Sequence, residues 1–312
     1  MRFVSFYTSE LPSPHLGLVR DDEVLDVDLA GQALKLNVPD QMLDLIDRYE
    51  QYKPALEGIL EKATNRRFTQ VRTFSEIGAA HALSAVQLAA PIPRPRKNIL
   101  CLAVNYKEHA AETANVRGHS GEVPQVPVFF TKAPTTINGP YSDIPIDPTV
   151  SEEIDWEVEL GVILGKSGKN IAEEDALSYV FGYTVLNDVT ARDLQARHKQ
   201  FFKGKSLDGS CPMGPWIITA DEIPDPHNLE LRLRVNGETK QASNTKLMIF
   251  SINTAISVLS AGMTLEAGDI IATGTPSGVG FSRTPPEFLK PGDIVEAEVE
   301  GVGIIKNRVA RV

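Results

Sequence analysis

The stretch Asp155-Trp156-Glu157-Val158-Glu159-Leu160-Gly161-Val162-Ile163-Leu164 decides how the 312-residue chain is read. It alternates charged with apolar residues and then becomes a continuous apolar run, the pattern of a β-strand. Side chains two apart share a strand face, so Asp155, Glu157 and Glu159 are expected on one face and Trp156, Val158 and Leu160 on the other. Neighbouring carboxylates on such a face stand roughly 6–7 Å apart and repel one another. Because Gly161 to Leu164 reads as buried on both sides, the acids are expected to point inward. There they must be protonated, paired with a base or bound to a metal. An all-oxygen set suits Mg²⁺ or Mn²⁺, with Ca²⁺ also possible, and not zinc or copper.

Outward from this stretch, composition narrows the class. Net charge is −10, and Arg66-Arg67 and Arg94-Pro95-Arg96-Lys97 read as loop charges, so a nucleic-acid partner is not expected. No segment reaches the roughly 18 apolar residues of a membrane span, and the start of the sequence lacks a secretory apolar core. With only two cysteines, Cys101 and Cys211, a disulfide framework or zinc cluster is not expected, and the compartment read from this is the cytoplasm.

Residues 1 to 28 read as a β-meander, followed by helical spacing through Met42, Leu45, Ile46, Leu56 and Ile59. Three prolines in Pro91-Ile92-Pro93-Arg94-Pro95 mark a linker. The boundary falls there: a small N-terminal α+β domain over 1–95 and a larger domain over 96–312. Downstream, strands alternate with turns, and helices are expected at Tyr106–Thr113, Glu173–Tyr179, Thr190–His198 and Met248–Ala261. The βαβα alternation of a doubly wound fold is missing, so a β-rich roll or sandwich within a mixed α/β class is expected.

Ile99 to Val104 reads as a buried strand ending at a helix capped by Asn105. On that helix His109 and Glu112 are three apart and share a face, which suits a carboxylate-oriented general base. The strand Phe181 to Asn187 ends at Asp188, either a helix N-cap or a third metal carboxylate, with Arg192 and Gln195 on the following helix. Gly161–Ser167 and the Lys203-Gly204-Lys205-Ser206 string imitate phosphate loops with the wrong glycine spacing, so a nucleotide enzyme is not expected. The strand at Ile270–Thr273 runs into a glycine-rich turn that exposes amides and the Thr275 hydroxyl.

In this order the strings NYKEHAAE, PVFFTKAP, DWEVELGVILGK, GYTVLNDVTARDLQ, GKSLDGSCPMGPWI, VNGETKQASNT and GDIIATGTPSGVG resemble the fumarylacetoacetate hydrolase family. The resemblance implies a mixed β-roll catalytic domain with Mg²⁺ or Mn²⁺ at its centre, and a homodimer. It implies Glu157, Glu159 and Asp188 as metal ligands, and His109, Glu112 and Lys205 as catalytic residues. It places Tyr106, Lys132, Arg192, Gln195 and Thr275 around the substrate. Asn105 stands where other members carry a fourth carboxylate, which implies the three-carboxylate branch acting on small 2-oxo acids. The expected reaction is hydrolysis of a C–C bond in a 2,4-diketo acid, by water that His109 deprotonates. The alternatives are a hydroxymuconate-type isomerase, an oxaloacetate-type decarboxylase, or a non-catalytic metal- or ligand-binding protein. Selectivity is expected from the loops Thr113–Pro127 and Gln241–Thr245.

Overall fold

The computed structural model describes residues 1–8, 11–64, 73–117 and 123–312, with side chains 11, 12 and 113–117 outside the description. Arg66-Arg67 and residues 118–122 of the first selectivity loop lie outside the described residues. The chain opens with the expected meander, β1 (Arg2–Thr8), β2 (Leu11–Arg20) and β3 (Glu23–Asp26), paired antiparallel in succession. Three helices follow: α1 (Val27–Leu34), capped by the Asp26 carboxylate, α2 (Met42–Asp47) and α3 (Tyr49–Thr64). Strands β4 (Ala80–Ala82) and β5 (Gln87–Ala89) return to β3 and β1.

Past the prolines come β6 (Ile99–Ala103), α4 (Lys107–Arg117), β7 (Val128–Lys132), β8 (Ile137–Asn138) and β9 (Ile144–Ile146). The decisive stretch yields β10 (Ile154–Asp155) and β11 (Val158–Leu164). Next come β12 (Val180–Asn187), β13 (Thr190–Ala191), α5 (Arg192–His198), α6 (Phe201–Lys205) and β14 (Cys211–Thr219). The last part holds β15 (Glu230–Val235), β16 (Glu238–Asn244), α7 (Ile252–Ser260), β17 (Ile270–Ala272), β18 (Ile294–Val299) and β19 (Gly303–Arg311).

These strands form a twelve-stranded mixed sheet with β11 and β12 near its centre, a five-stranded sheet β16-β15-β18-β19-β9, and the small pair β10-β13. The result is the β-rich mixed α/β class. The N-terminal strands are continuous with the large sheet, because β1 pairs with β14 at Arg2↔Ile218. Strand β11 is buried along its whole length. Val158, Leu160 and Val162 pack with Leu233, Val295 and Ala297 of the five-stranded sheet. On its other face, Ile163 joins the core under the N-terminal helices with Phe3, Leu45 and Leu56. At about 25 cal/mol per Å² of apolar surface, this two-sided burial fixes the register, since a one-residue slip would turn Glu159 into the apolar layer.

Several local expectations change. The helix expected from Thr190 begins at Arg192, because Thr190–Ala191 pairs with Ile154–Asp155 as a short ladder. Glu173–Tyr179 is a 3₁₀ segment, and α7 begins at Ile252, where the Ser251 hydroxyl caps it. Among the described residues, no helix is long and apolar enough to cross a membrane.

Candidate functional site

The expected row of three acids is broken between Asp155 and Val158. At the break, the Asn187 side chain accepts the Glu157 N–H (3.0 Å) and Asp188 N donates to Glu157 O (2.8 Å). The backbone resumes its ladder at Val158↔Asn187. Asp155 therefore leaves the common face. Its Oδ1 accepts from Trp156 N (2.8 Å) and Gly280 N (2.7 Å), and its Oδ2 from Phe281 N (3.1 Å) and Arg192 Nε (2.8 Å). Gly280 is required there, since a Cβ would meet Glu287 O at 2.1 Å and Asp155 Oδ1 at 2.7 Å.

Glu157 and Glu159 converge instead with Asp188, and one carboxylate oxygen from each lies within 4.8 Å of the others. All three are buried. Asp188 does not cap a helix, because α5 starts four residues later behind Ala191, so its carboxylate is available to the cluster. Lys205 Nζ stands 2.6 Å from both Glu157 Oε2 and Asp188 Oδ2. Lys132 Nζ is 2.8 Å from Asp188 Oδ1, and Arg192 Nη2 is 2.7 Å from Glu157 Oε1.

Electrostatics separates the acids. Burial would raise Glu157, but Lys205 and Arg192 outweigh it and hold its pKa below the usual carboxylate range. Glu159 goes the other way: burial, then Asp188 and Glu157, push it well above that range, against the nearby Lys205 charge and a hydrogen bond from the Gly274 amide (2.7 Å). Asp155, Glu157 and Asp188 are paired with the three cations Lys132, Arg192 and Lys205, so ionising Glu159 as well would leave one negative charge for a further cation to balance. A convergent, all-oxygen cluster of this kind fits a hard divalent cation, held by Glu157, Glu159 and Asp188.

The cluster opens onto a cavity of about 530 Å³ whose wall includes His109, Glu157, Arg192, Gln195, Lys205 and Thr275. His109 Nδ1 lies 3.2 Å from Glu112 Oε2, as the helical spacing predicted. Glu112 is anchored by the Gly278 amide and the Ser282 hydroxyl. Burial would raise its pKa, but the hydrogen bonds from His109, Ser282 and Gly278 hold it low, so it stays an acceptor that orients the imidazole.

Other expected site residues sit differently. Lys132 is wholly buried behind Asp188 and bonds Val189 O, outside the cavity wall. Tyr106 is also buried outside the wall. Thr275 donates to Val158 O (2.9 Å) and accepts from Gln241 (2.8 Å), so its hydroxyl hydrogen is already committed. Asn105 is no helix cap: its amide bridges Phe250 and Thr273 and ties three segments together. The preceding residue, Val104, holds φ at 51°, a left-handed conformation costly for a β-branched residue, and forms part of the wall. Sequence reasoning had not singled out the aromatic wall. Phe281 stacks on Arg192 at 4.3 Å, and Phe130 faces Lys205 at 5.1 Å. An aromatic just after the glycine-rich turn, and another inside PVFFTKAP, were the available signals.

A β-rich mixed fold with a buried carboxylate triad beside a cavity fits a class: proteins that can set a divalent cation beside a small ligand. Comparison narrows the class. Residues 98–310 match the family Fumarylacetoacetate (FAA) hydrolase C-terminal, and the chain belongs to the fumarylacetoacetate hydrolase family. It is 43% identical over 312 residues to the oxaloacetate tautomerase YisK of Bacillus subtilis (strain 168), covering 98% of this chain and 100% of that protein. The solved structure of a fumarylacetoacetate hydrolase from psychrophilic Exiguobacterium antarcticum superposes with a TM-score of 0.78 at 36% identity, with both chains fully covered. Maleylpyruvate hydrolase from Sphingobium sp. SYK-6, in complex with manganese(II) and pyruvate, gives a TM-score of 0.75 at 32% identity, covering 100% of this chain and 99% of that one.

Proposed function

We propose that the protein is a divalent-cation-dependent tautomerase that interconverts the keto and enol forms of oxaloacetate or a closely related 2-oxo diacid. The observation that carries this reading is the end-to-end similarity to the B. subtilis oxaloacetate tautomerase. It moves the reaction away from hydrolysis and toward the enolate chemistry of the isomerase and decarboxylase alternatives.

In the reaction, a proton leaves C3, the C2–C3 bond becomes double, and the C2 oxygen gains a proton; no carbon–carbon bond breaks and no water is consumed. Bound by Glu157, Glu159 and Asp188, Mg²⁺ or Mn²⁺ would supply Lewis acidity that favours negative charge on the 2-oxo oxygen. His109, fixed by Glu112, is the cavity-wall base that takes the C3 proton. Lys205 places an ammonium beside the cluster, where it stabilises charge developing at that oxygen. Arg192, held by Asp155 and Glu157, and Gln195 complete the polar wall. Lys132 supports Asp188 from behind, Tyr106 is buried and bridged to Met248, and Thr275 fixes the glycine-rich turn at the wall.

Hydrolysis stands as the second reading, supported by the His109–Glu112 pair and by the maleylpyruvate hydrolase neighbour. A homodimer is part of the proposal. The sheet ends at β7, where Val126, Val128 and Phe202 are exposed apolar residues, and light scattering tests it.

The deciding assay follows the enol absorbance of oxaloacetate with Mg²⁺ or Mn²⁺, together with pyruvate release, and runs acylpyruvates in parallel. Accelerated enol loss without pyruvate is expected, with His109→Asn reducing kcat about 10²–10⁴-fold. Enol decay at the uncatalysed rate alongside rapid acylpyruvate cleavage would replace this reading with the second.

A further inference from the structure

We infer that Lys199, at the turn between α5 and α6, selects for the second carboxylate of the substrate; the inference rests on the 2-oxo diacid reading above. Lys199 belongs to the cavity wall. The wall's other basic side chains are already engaged: Arg192 with Asp155 and Glu157, Lys205 with Glu157 and Asp188, and His109 with Glu112. Among the described residues, Lys199 has no hydrogen-bond or ion-pair partner, and it is exposed at the cavity's edge.

Two further observations point the same way. The backbone of Lys199 is left-handed, with φ at 57°, where α5 ends. Glycine or asparagine takes that conformation with less strain, so a lysine there sets a long cationic side chain at a place the backbone does not favour. The surrounding charge is also unusual. Residues 192–205 carry five Lys or Arg and one His against the single acid Asp193, in a chain of net charge −10. Arg197, Lys199 and Lys203 are exposed along this segment, and Lys199 is the one of the three that lines the cavity, so a basic stretch flanks the cavity on an acidic protein. Such a stretch draws in a dianion and is weakened by salt. A monoanionic 2-oxo acid, with its one carboxylate and its oxo oxygen directed at the cation cluster, leaves this lysine unused. A diacid does not.

The test compares wild type, Lys199→Met and Lys199→Arg. The ligands are oxaloacetate and its 4-methyl ester in turnover, and malate and its 4-methyl ester in calorimetric binding to the metal-loaded protein. The expected result is a wild-type preference for the diacid of about tenfold in kcat/KM and in affinity, the size of one charge-assisted contact. Lys199→Met abolishes it, with most of the loss in KM for the diacid and little change for the 4-methyl ester, and Lys199→Arg keeps it. Raising salt should lower diacid kcat/KM more steeply in wild type than in Lys199→Met. A diacid preference that survives in Lys199→Met overturns the inference. Absence of turnover with the binding preference intact and lysine-dependent sinks the tautomerase reading and leaves the role of Lys199 standing.

Discussion

Replacing Asp155 by Asn is the most direct way to ask whether the broken strand is what holds the site together. Asp155 is fully buried and accepts four hydrogen bonds, two at each oxygen. Asparagine keeps one oxygen for Trp156 N and Gly280 N. Its amide nitrogen then confronts Phe281 N and Arg192 Nε, donor against donor. It also removes one of the two acids compensating the buried Arg192 guanidinium, whose pKa is raised because Asp155 and Glu157 together outweigh its desolvation. Removing one partner of a buried ion pair costs about 3–5 kcal/mol, and each buried donor left unsatisfied costs about 1–3 kcal/mol. These contributions describe the same event and do not add, so a loss of about 3–5 kcal/mol is expected.

The assay is equilibrium urea unfolding of Asp155→Asn, Arg192→Met and the double variant at neutral pH, with kcat/KM measured in parallel. Arg192→Met strips the charge that Asp155 balances, so the double variant should be less destabilised than the sum of the singles, by about 0.5–3 kcal/mol. Gly280→Ala crowds the same turn from the opposite side, since its methyl would press on Glu287 O as well as Asp155 Oδ1; overpacking of this kind costs about 1–3 kcal/mol. A single Asp155→Asn loss below about 1 kcal/mol, or strict additivity with Arg192→Met, would refute the claim that Asp155 sets Arg192 in place.

Lys132→Met should destabilise the fold by about 3 kcal/mol, because it strips a wholly buried partner from Asp188, while leaving KM close to wild type; a raised KM at unchanged stability would return Lys132 to the substrate. Mg²⁺ or Mn²⁺ at a hundredfold excess over Kd should stabilise the protein by about 2.7 kcal/mol, read as a rise in Tm that EDTA reverses and Glu159→Gln greatly reduces; equal shifts in wild type and Glu159→Gln would place the cation elsewhere. His227 accepts the Ile252 amide at the start of α7, and burial lowers its pKa, so the folded protein resists protonating it. Its contribution is complete above about pH 6.5, where both states are neutral, and is lost as pH falls below the unfolded value and the unfolded chain gains the proton first. His227→Gln should flatten that slope in urea titrations between pH 7 and 5, and an unchanged slope would assign it to another group.

The parts of this molecule legible in its sequence are those set by burial and spacing. Glu159 was legible because the apolar run after it could only be interior, and the His109–Glu112 pair because helical geometry alone makes those residues neighbours. Asp155 was misplaced because alternation assumes an unbroken ladder. The break depends on the Asn187 side chain taking the Glu157 amide from thirty residues away, and on Ile154–Asp155 finding a partner in Thr190–Ala191. No local pattern encodes either event. The same limit applied at Asn105, read as a helix cap, whereas Asp188 was legible as the third carboxylate although it sits where a cap usually sits. Their side chains are claimed by Phe250 and Thr273 in one case and by Lys132 and Lys205 in the other. Lys132 shows the converse, since a lysine is expected at the surface until the acid that draws it inward is placed.

That placement bears on chemistry. Three cations balance Asp155, Glu157 and Asp188, while Glu159 is pushed toward its neutral form by its acidic neighbours, so a divalent cation bound there would favour its charged form. A site arranged in this way stabilises an enolate whichever bond to carbon yields it, which is how hydrolases and tautomerases can share one fold. What decides the outcome is the bond aligned with the cation and the base that faces it. On the proposed reading, with His109 fixed by Glu112 and Lys199 on the same wall, a diacid would be held at its far end as well as at its 2-oxo group. Held at both ends, it would present its C3 hydrogen to His109 with no need for a water molecule between them. Product ratios then report the alignment directly. Enol loss should exceed pyruvate formation in wild type, and if Lys199→Met shifts that ratio toward pyruvate, the anchored far end is what protects the carbon–carbon bond.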